Sequence, residues 1–265
     1  SFKPFVYATA FAQGYTPATM VMDVRTSFPD GGNPAPYVPE NYDRSFHGPM
    51  TLRRALACSY NIPAVAAAHW VGIERVVETA RAMGVTSLNE PYYGLALALG
   101  GYEVSPLDMA YAFSVFANGG ELVGEPTTGH VREGNRRLDP VAILQVTDAG
   151  GKELFKFEQP QRNEVLREEV AFLLTDVLSD NQARTPAFGA NSVLVLPDRP
   201  AAVKTGTTND YYDGWTVGFT PQYVTAVWVG NTDHTKMRNA SGVHVAGPIW
   251  RAVMESLHEG LPIEG

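Results

Sequence analysis

The sequence predicts an α+β fold. Helical spacing of apolar residues runs through much of the first half and returns at 169–178, whereas 202–208, 215–220 and 223–229 are β-branched, aromatic runs separated by turn residues. With 265 residues, 45% hydrophobic and 18% charged, the chain has enough apolar surface for a sizeable core, and a single domain is expected.

Residues 3–14 read as a helix, with Pro4 tolerated in the first turn and Gly14 as its stop. Residues 15–49 are rich in Pro, Gly, Asn and Asp and read as a long irregular excursion with room for a short hairpin; loops of that length usually line a site or pack over one. Thr51 caps a helix carrying Leu52, Ala55 and Leu56 on one face, the chain breaks at Ser59-Tyr60-Asn61-Ile62-Pro63, and helix resumes over 64–71. Ser105-Pro106-Leu107-Asp108 combines a capping serine, a proline at the first helical position and an acid at the third, and Asn118-Gly119-Gly120 closes that helix.

Residues 142–146 and 154–157 flank Asp148-Ala149-Gly150-Gly151 as a strand pair joined by a tight turn. The helix over 169–178 carries Val170, Leu173, Leu174, Val177 and Leu178 toward the sheet, whose last two strands Pro221-Gln222 connects. A helix over 249–258 ends the pattern, and Trp215, Trp228 and Trp250 read as core anchors. The chain has no internal repeat and no low-complexity segment.

The net charge of -8 argues against a nucleic-acid partner, because backbone binding needs clustered Lys and Arg. Cys58 is the only cysteine, which excludes an internal disulfide and a thiolate metal site. The six histidines form no His-Glu-x-x-His or other tight ligand spacing, so neither a metal nor a cofactor is expected. No run approaches the roughly 20 apolar residues that span a bilayer, no leader opens the chain, and the chain is expected to start inside an element, as an excised domain would.

Three short segments carry chemistry. A serine hydroxyl is a poor nucleophile at neutral pH and needs a base within hydrogen-bond reach together with donors around the oxyanion. Ser-x-x-Lys meets the first need, because residues three apart share a helix face. A lysine is a base only when burial or a neighbouring cation lowers its pKa, and Lys204 is a candidate for the cation that would act on Lys3. By spacing alone Lys3 is a bland terminal lysine, but Phe2-Lys3-Pro4-Phe5 opens an apolar helix, an unusual setting for a solvated side chain.

Ser59-Tyr60-Asn61 reads blandly as a helix stop and cap; functionally it sets the Ser59 hydroxyl on a proton path to a leaving group and the Asn61 amide against a substrate carbonyl. Lys204-Thr205-Gly206-Thr207 reads blandly as an edge strand. Functionally, Gly206 lets another backbone approach, the Thr205 and Thr207 hydroxyls meet a carboxylate that Lys204 attracts, and the Thr207 N–H is one oxyanion donor. Asp210, Tyr211, Tyr212 and Asp213 lie just beyond and are read as turn chemistry in preference to a catalytic rim.

Taken in order, Phe2-Lys3-Pro4-Phe5, Tyr42-Asp43, 51–56, Ser59-Tyr60-Asn61, 103–106, 116–120 and 204–208 resemble the transpeptidase domain of a class A, bifunctional penicillin-binding protein, over nearly the whole chain. The resemblance implies an antiparallel β-sheet flanked by helices with an all-helical subdomain, as in serine β-lactamases and D,D-transpeptidases. The helical part would fall roughly within 15–130 and the sheet with its flanking helices within 140–265. It implies that Lys3 matches the base of the first motif, Ser59 and Asn61 the second, and Lys204, Thr205, Gly206 and Thr207 the third. The family's nucleophilic serine would stand directly before Ser1, so a chain cut there is expected to be inactive.

The same resemblance implies peptidoglycan stem peptides and β-lactams as partners, with a membrane-anchored parent carrying an upstream glycosyltransferase domain on the extracytoplasmic face of the membrane. Two alternatives stay open: a D,D-carboxypeptidase or β-lactamase, in which water resolves the acyl-enzyme, and a β-lactam-binding sensor or other non-catalytic module.

Overall fold

The computed structural model describes residues 1–30, 35–128, 134–208, 211–238 and 240–264. The first helix, α1 (Lys3–Ala12), is buried from Lys3 through Phe11, because apolar side chains surround its axis instead of forming one stripe. Its threonine, Thr9, donates to Phe5 O at 2.7 Å and pairs with Thr79 at 2.9 Å.

The long excursion is closed at its ends by a ladder. Strand β1 (Met20–Asp23) runs antiparallel to β2 (Gly48–Thr51), Met20 opposite Thr51 and Asp23 opposite Gly48. Thr51 then caps α2 (Leu52–Ala57) by accepting from Arg54 N, and α3 (Asn61–Val71) and α4 (Ile73–Ala82) follow. Helix α3 begins three residues before the expected start, with Pro63 inside its first turn, where a missing N–H costs nothing. Helix α5 (Pro106–Ala117) has the expected cap, Ser105 Oγ accepting from Asp108 N at 3.0 Å.

A small sheet not apparent in the sequence follows. Strand β3 (Glu121–Pro126) lies between β4 (Leu138–Asp139) and β7 (Gln161–Glu164), and the hairpin of β5 (Gln145–Thr147) and β6 (Glu153–Lys156) sits between them in sequence, starting later than its apolar pattern indicates. Then come α6 (Glu168–Ser179) and α7 (Asn181–Phe188).

Strands β8 (Ala202–Thr207), β9 (Asp213–Phe219) and β10 (Val224–Gly230) form the main sheet in the order β10-β9-β8, all antiparallel. Helices α5 and α6 pack on this sheet, as do α8 (Gly242–Val245) and α9 (Gly247–Leu257). Alternation along β8 sends Ala202 into the large core with α1 and α5, and Val203 into a smaller core with Trp250 and Met254. The fold is therefore α+β with antiparallel sheets, as expected.

Of the three tryptophans read as core anchors, Trp250 is fully buried and Trp215 packs partly against the large core. Trp228 is 41% exposed, because it lies on the outer strand β10 and its indole N–H reaches Asp213 Oδ1 at 2.8 Å. Trp250→Ala should accordingly cost about 3–5 kcal/mol. Trp228→Ala should cost about 1 kcal/mol, mostly through its hydrogen bond. Urea unfolding of the two variants checks this, and equal losses would contradict it.

Candidate active site

The site is built where α2 ends. Cys58 closes α2, and Ser59 takes φ +63°, a left-handed conformation uncommon for a residue with a Cβ. Tyr60 is extended, and Asn61 opens α3. This sharp turn brings the Ser59 hydroxyl and the Asn61 amide to the same ammonium group: Lys3 Nζ donates to Asn61 Oδ1 at 2.6 Å, to Ser59 O at 2.5 Å and to Ser59 Oγ at 3.2 Å. From β8, Lys204 Nζ donates to Ser59 Oγ at 2.7 Å and to Thr205 O at 2.6 Å. Lys3, Ser59, Asn61 and Lys204, separated by up to 201 positions in the chain, thus meet around one hydroxyl.

Both lysines are buried, at 7% and 3% exposure. Burial, and then the Lys204 charge, hold the Lys3 ammonium well below the usual lysine range. Burial, and then the Arg184 guanidinium, bring Lys204 down to about 7. An amine that has given up its proton gains a lone pair, so this cluster can accept the Ser59 proton as well as donate to its oxygen.

Arg184 is a third buried cation, on α7, and its place was not legible in the sequence. Its Nη2 donates to Leu178 O, and its Nη1 has no hydrogen-bond partner among the described residues. Burial lowers its own pKa to about 10, partly offset by Asp180.

The strand segment beyond Lys204 shows the close approach that a glycine permits. A Cβ on Gly206 would lie 2.3 Å from Ser1 N and 2.8 Å from Ser1 Oγ, so Ser1, two residues before α1, and β8 touch backbone to backbone. On the neighbouring Thr207, Oγ1 accepts from Gly242 N at 2.9 Å, which leaves its own proton available. Thr205 is buried beside Lys204.

The residues after β8 separate into two groups. Asp213 begins β9; its N–H donates to Thr208 Oγ1 at 2.7 Å and its carboxylate holds Trp228, the structural role expected of a turn acid. Tyr212 stacks on His234. Tyr211, also at positive φ (+62°), accepts a 3.0 Å hydrogen bond from the Tyr42 hydroxyl, which joins the loop before α2 to the turn after β8. Asp210 lies outside the described residues. Among the described residues, no three His, Cys, Asp or Glu side chains group as metal ligands, and no helix is long and apolar enough to cross a membrane.

A family model described as the penicillin binding protein transpeptidase domain matches residues 1–255. Penicillin-binding protein 1A of Aquifex aeolicus (strain VF5) is 35% identical over 263 residues, covering 99% of this chain and 33% of that protein. Penicillin-binding protein 2D of Bacillus subtilis (strain 168) is 32% identical, covering 98% of this chain and 36% of its own length. The chain thus spans about a third of the curated relatives it matches.

Among solved structures, penicillin-binding protein 1A from Haemophilus influenzae superposes with a TM-score of 0.84 at 27% identity, covering 100% of this chain and 42% of that one. The PonA1 protein from Mycobacterium tuberculosis, in complex with penicillin V, shares the fold with a TM-score of 0.79 at 22% identity, covering 100% of this chain and 69% of that one. The motifs, the fold and these likenesses agree, and the chain belongs to the penicillin-binding protein transpeptidase domain family.

Proposed function

We propose that this chain is the D,D-transpeptidase domain of a class A, bifunctional cell-wall synthase, with a serine three positions before Lys3 as nucleophile. The observation that carries the proposal is the approach of Lys3 Nζ and Lys204 Nζ to the same Ser59 hydroxyl, at 3.2 and 2.7 Å. One turn of helix α1 would place that serine beside Lys3. Its hydroxyl attacks the carbonyl of the D-Ala-D-Ala bond while the neutral Lys3 amine takes its proton. The proton passes through Ser59 to the departing nitrogen, the C–N bond breaks, and D-Ala leaves. An amine of a second peptidoglycan strand then attacks the ester carbonyl, forming the cross-link and returning the serine hydroxyl.

The other residues divide the remaining work. The Lys204 ammonium, with Thr205 and Thr207, holds the donor's terminal carboxylate; that carboxylate raises the Lys204 pKa from about 7 and keeps it charged in the complex. The Thr207 N–H, on a strand kept accessible by Gly206, donates to the developing oxyanion. Penicillins enter as mimics of the donor and stop at the acyl stage. The parent protein is membrane-anchored, carries a glycosyltransferase module and faces the extracytoplasmic side, a reading supported by the likeness to penicillin-binding proteins 1A.

A protein carrying the serine should be covalently labelled by a fluorescent penicillin, whereas one beginning at Ser1 should not. Lys204→Ala in the serine-bearing protein should slow acylation by about 10²-fold or more per folded molecule. Unchanged labelling would remove Lys204 from the mechanism. With a donor peptide and an amine acceptor, the expected main product is the cross-linked amide; hydrolysis alone would point to a carboxypeptidase or β-lactamase.

The depressed lysine has a thermodynamic signature too. Between about 7 and the usual lysine pKa of about 10.4, the unfolded chain binds the proton that folded Lys204 lacks, so this group makes stability rise with pH. The contribution is lost as pH falls through that window. Urea midpoints measured across it should climb less steeply in Lys204→Met than in the parent.

A further inference from the structure

The turn that presents Ser59 and Asn61 has no cap of its own. Tyr60 is the N-cap residue of α3 and offers no side-chain hydrogen bond, so the first N–H groups of the helix need another acceptor. Asn41, 20 residues upstream and only 4% exposed, provides it: its Oδ1 accepts from Asn61 N at 2.8 Å and from Ile62 N at 3.4 Å. Which way the Asn41 amide faces is dictated from behind. Asp23 on β1 is fully buried and presents both carboxyl oxygens to the Asn41 amide, so Asn41 turns its Nδ2 toward them. The Asn41 Nδ2 group donates to both Asp23 oxygens at 2.8 Å and to Ser45 O at 2.8 Å.

The preceding residue completes the arrangement. Asn61 Nδ2 donates to Glu40 O at 2.7 Å, which leaves Asn61 Oδ1 facing Lys3 Nζ. Asp23 also accepts from His47 N at 3.0 Å and contacts His47 Nδ1 at 2.6 Å, and the His47 ring stacks on Tyr60 with centroids 4.0 Å apart. The residues flanking Asn61 are thus gripped from two directions by one buried carboxylate.

We propose that Asn41, oriented by Asp23, is a positioning residue that holds the Ser59–Asn61 turn in register with Lys3. The role rests on the transpeptidase reading above. Asp23→Asn replaces one of the two acceptor oxygens that orient Asn41 by an NH2 donor, so the direction of the Asn41 amide is no longer dictated, and Asn41→Asp sets two carboxylates against each other. The exchange pair Asp23→Asn with Asn41→Asp returns a donor at position 23 and an acceptor toward α3.

The test measures penicillin acylation of the serine-bearing, full-length protein at saturating ligand, per folded molecule, with hydrogen exchange at the Asn61 N–H. Each single variant should acylate about tenfold or more slowly and exchange that proton faster; the exchange pair should recover to within about threefold of the parent. Folded single variants with parent-like acylation would overturn the proposal, as would an exchange pair showing a smaller recovery. If the single variants do not fold, the exchange pair decides by the same threshold. A parent protein that penicillin does not label would instead sink the transpeptidase reading, and the exchange rate at Asn61 would still report on Asn41.

Discussion

Two buried ammonium groups directed at one hydroxyl form an arrangement that water would never leave in place. Each loses hydration on burial, each repels the other, and Arg184 adds a third positive charge from behind Lys204. A protein retains such a cluster only where the surrounding structure leaves the side chains nowhere else to go, and where a proton is released in exchange for burial. The rest of the fold can be understood as the enclosure that enforces it.

That enclosure has three walls of different construction. Helix α1 carries Lys3 inside the core, β8 carries Lys204 on a strand fixed by its ladder to β9, and the α2–α3 turn supplies Ser59 in a strained backbone conformation. The walls meet closely. Gly206 is compressed between the Ser1 backbone on one side and Gly242 on the other, where a Cβ on Gly242 would lie 2.1 Å from Gly206 O. Neither glycine has room for a side chain, so β8 is trapped between α1 and the segment entering α8.

Much of this was legible in the chain because it is written locally. The Ser105 and Thr51 caps, the Pro221-Gln222 connection and the apolar spacing of 169–178 all specify structure within a few residues, and each element forms close to its expected bounds. Lys3, Ser59, Asn61 and Lys204 were legible because they stand in short motifs of restricted residue type and spacing, and the structure brings the four side chains together. Strand β7 was not: Gln161–Glu164 is polar and exposed, and pairs with β3 without any alternation of its own. Helix α7 escaped because Pro186 interrupts a polar stretch, and Arg184 went with it. The support from Asp23 and Asn41 lies in tertiary contacts, which neither composition nor periodicity records.

The burial of α1 from Lys3 through Phe11 carries a consequence for how far Lys3 can move. A lysine mounted on a helix without a solvent face inherits the rigidity of the interior, and shifting it by even a fraction of an ångström means repacking Phe5, Tyr7 and their neighbours together. The Tyr42 and Tyr211 loops, which meet through their hydroxyls with Tyr42 exposed, lie outside that packing and carry no such constraint.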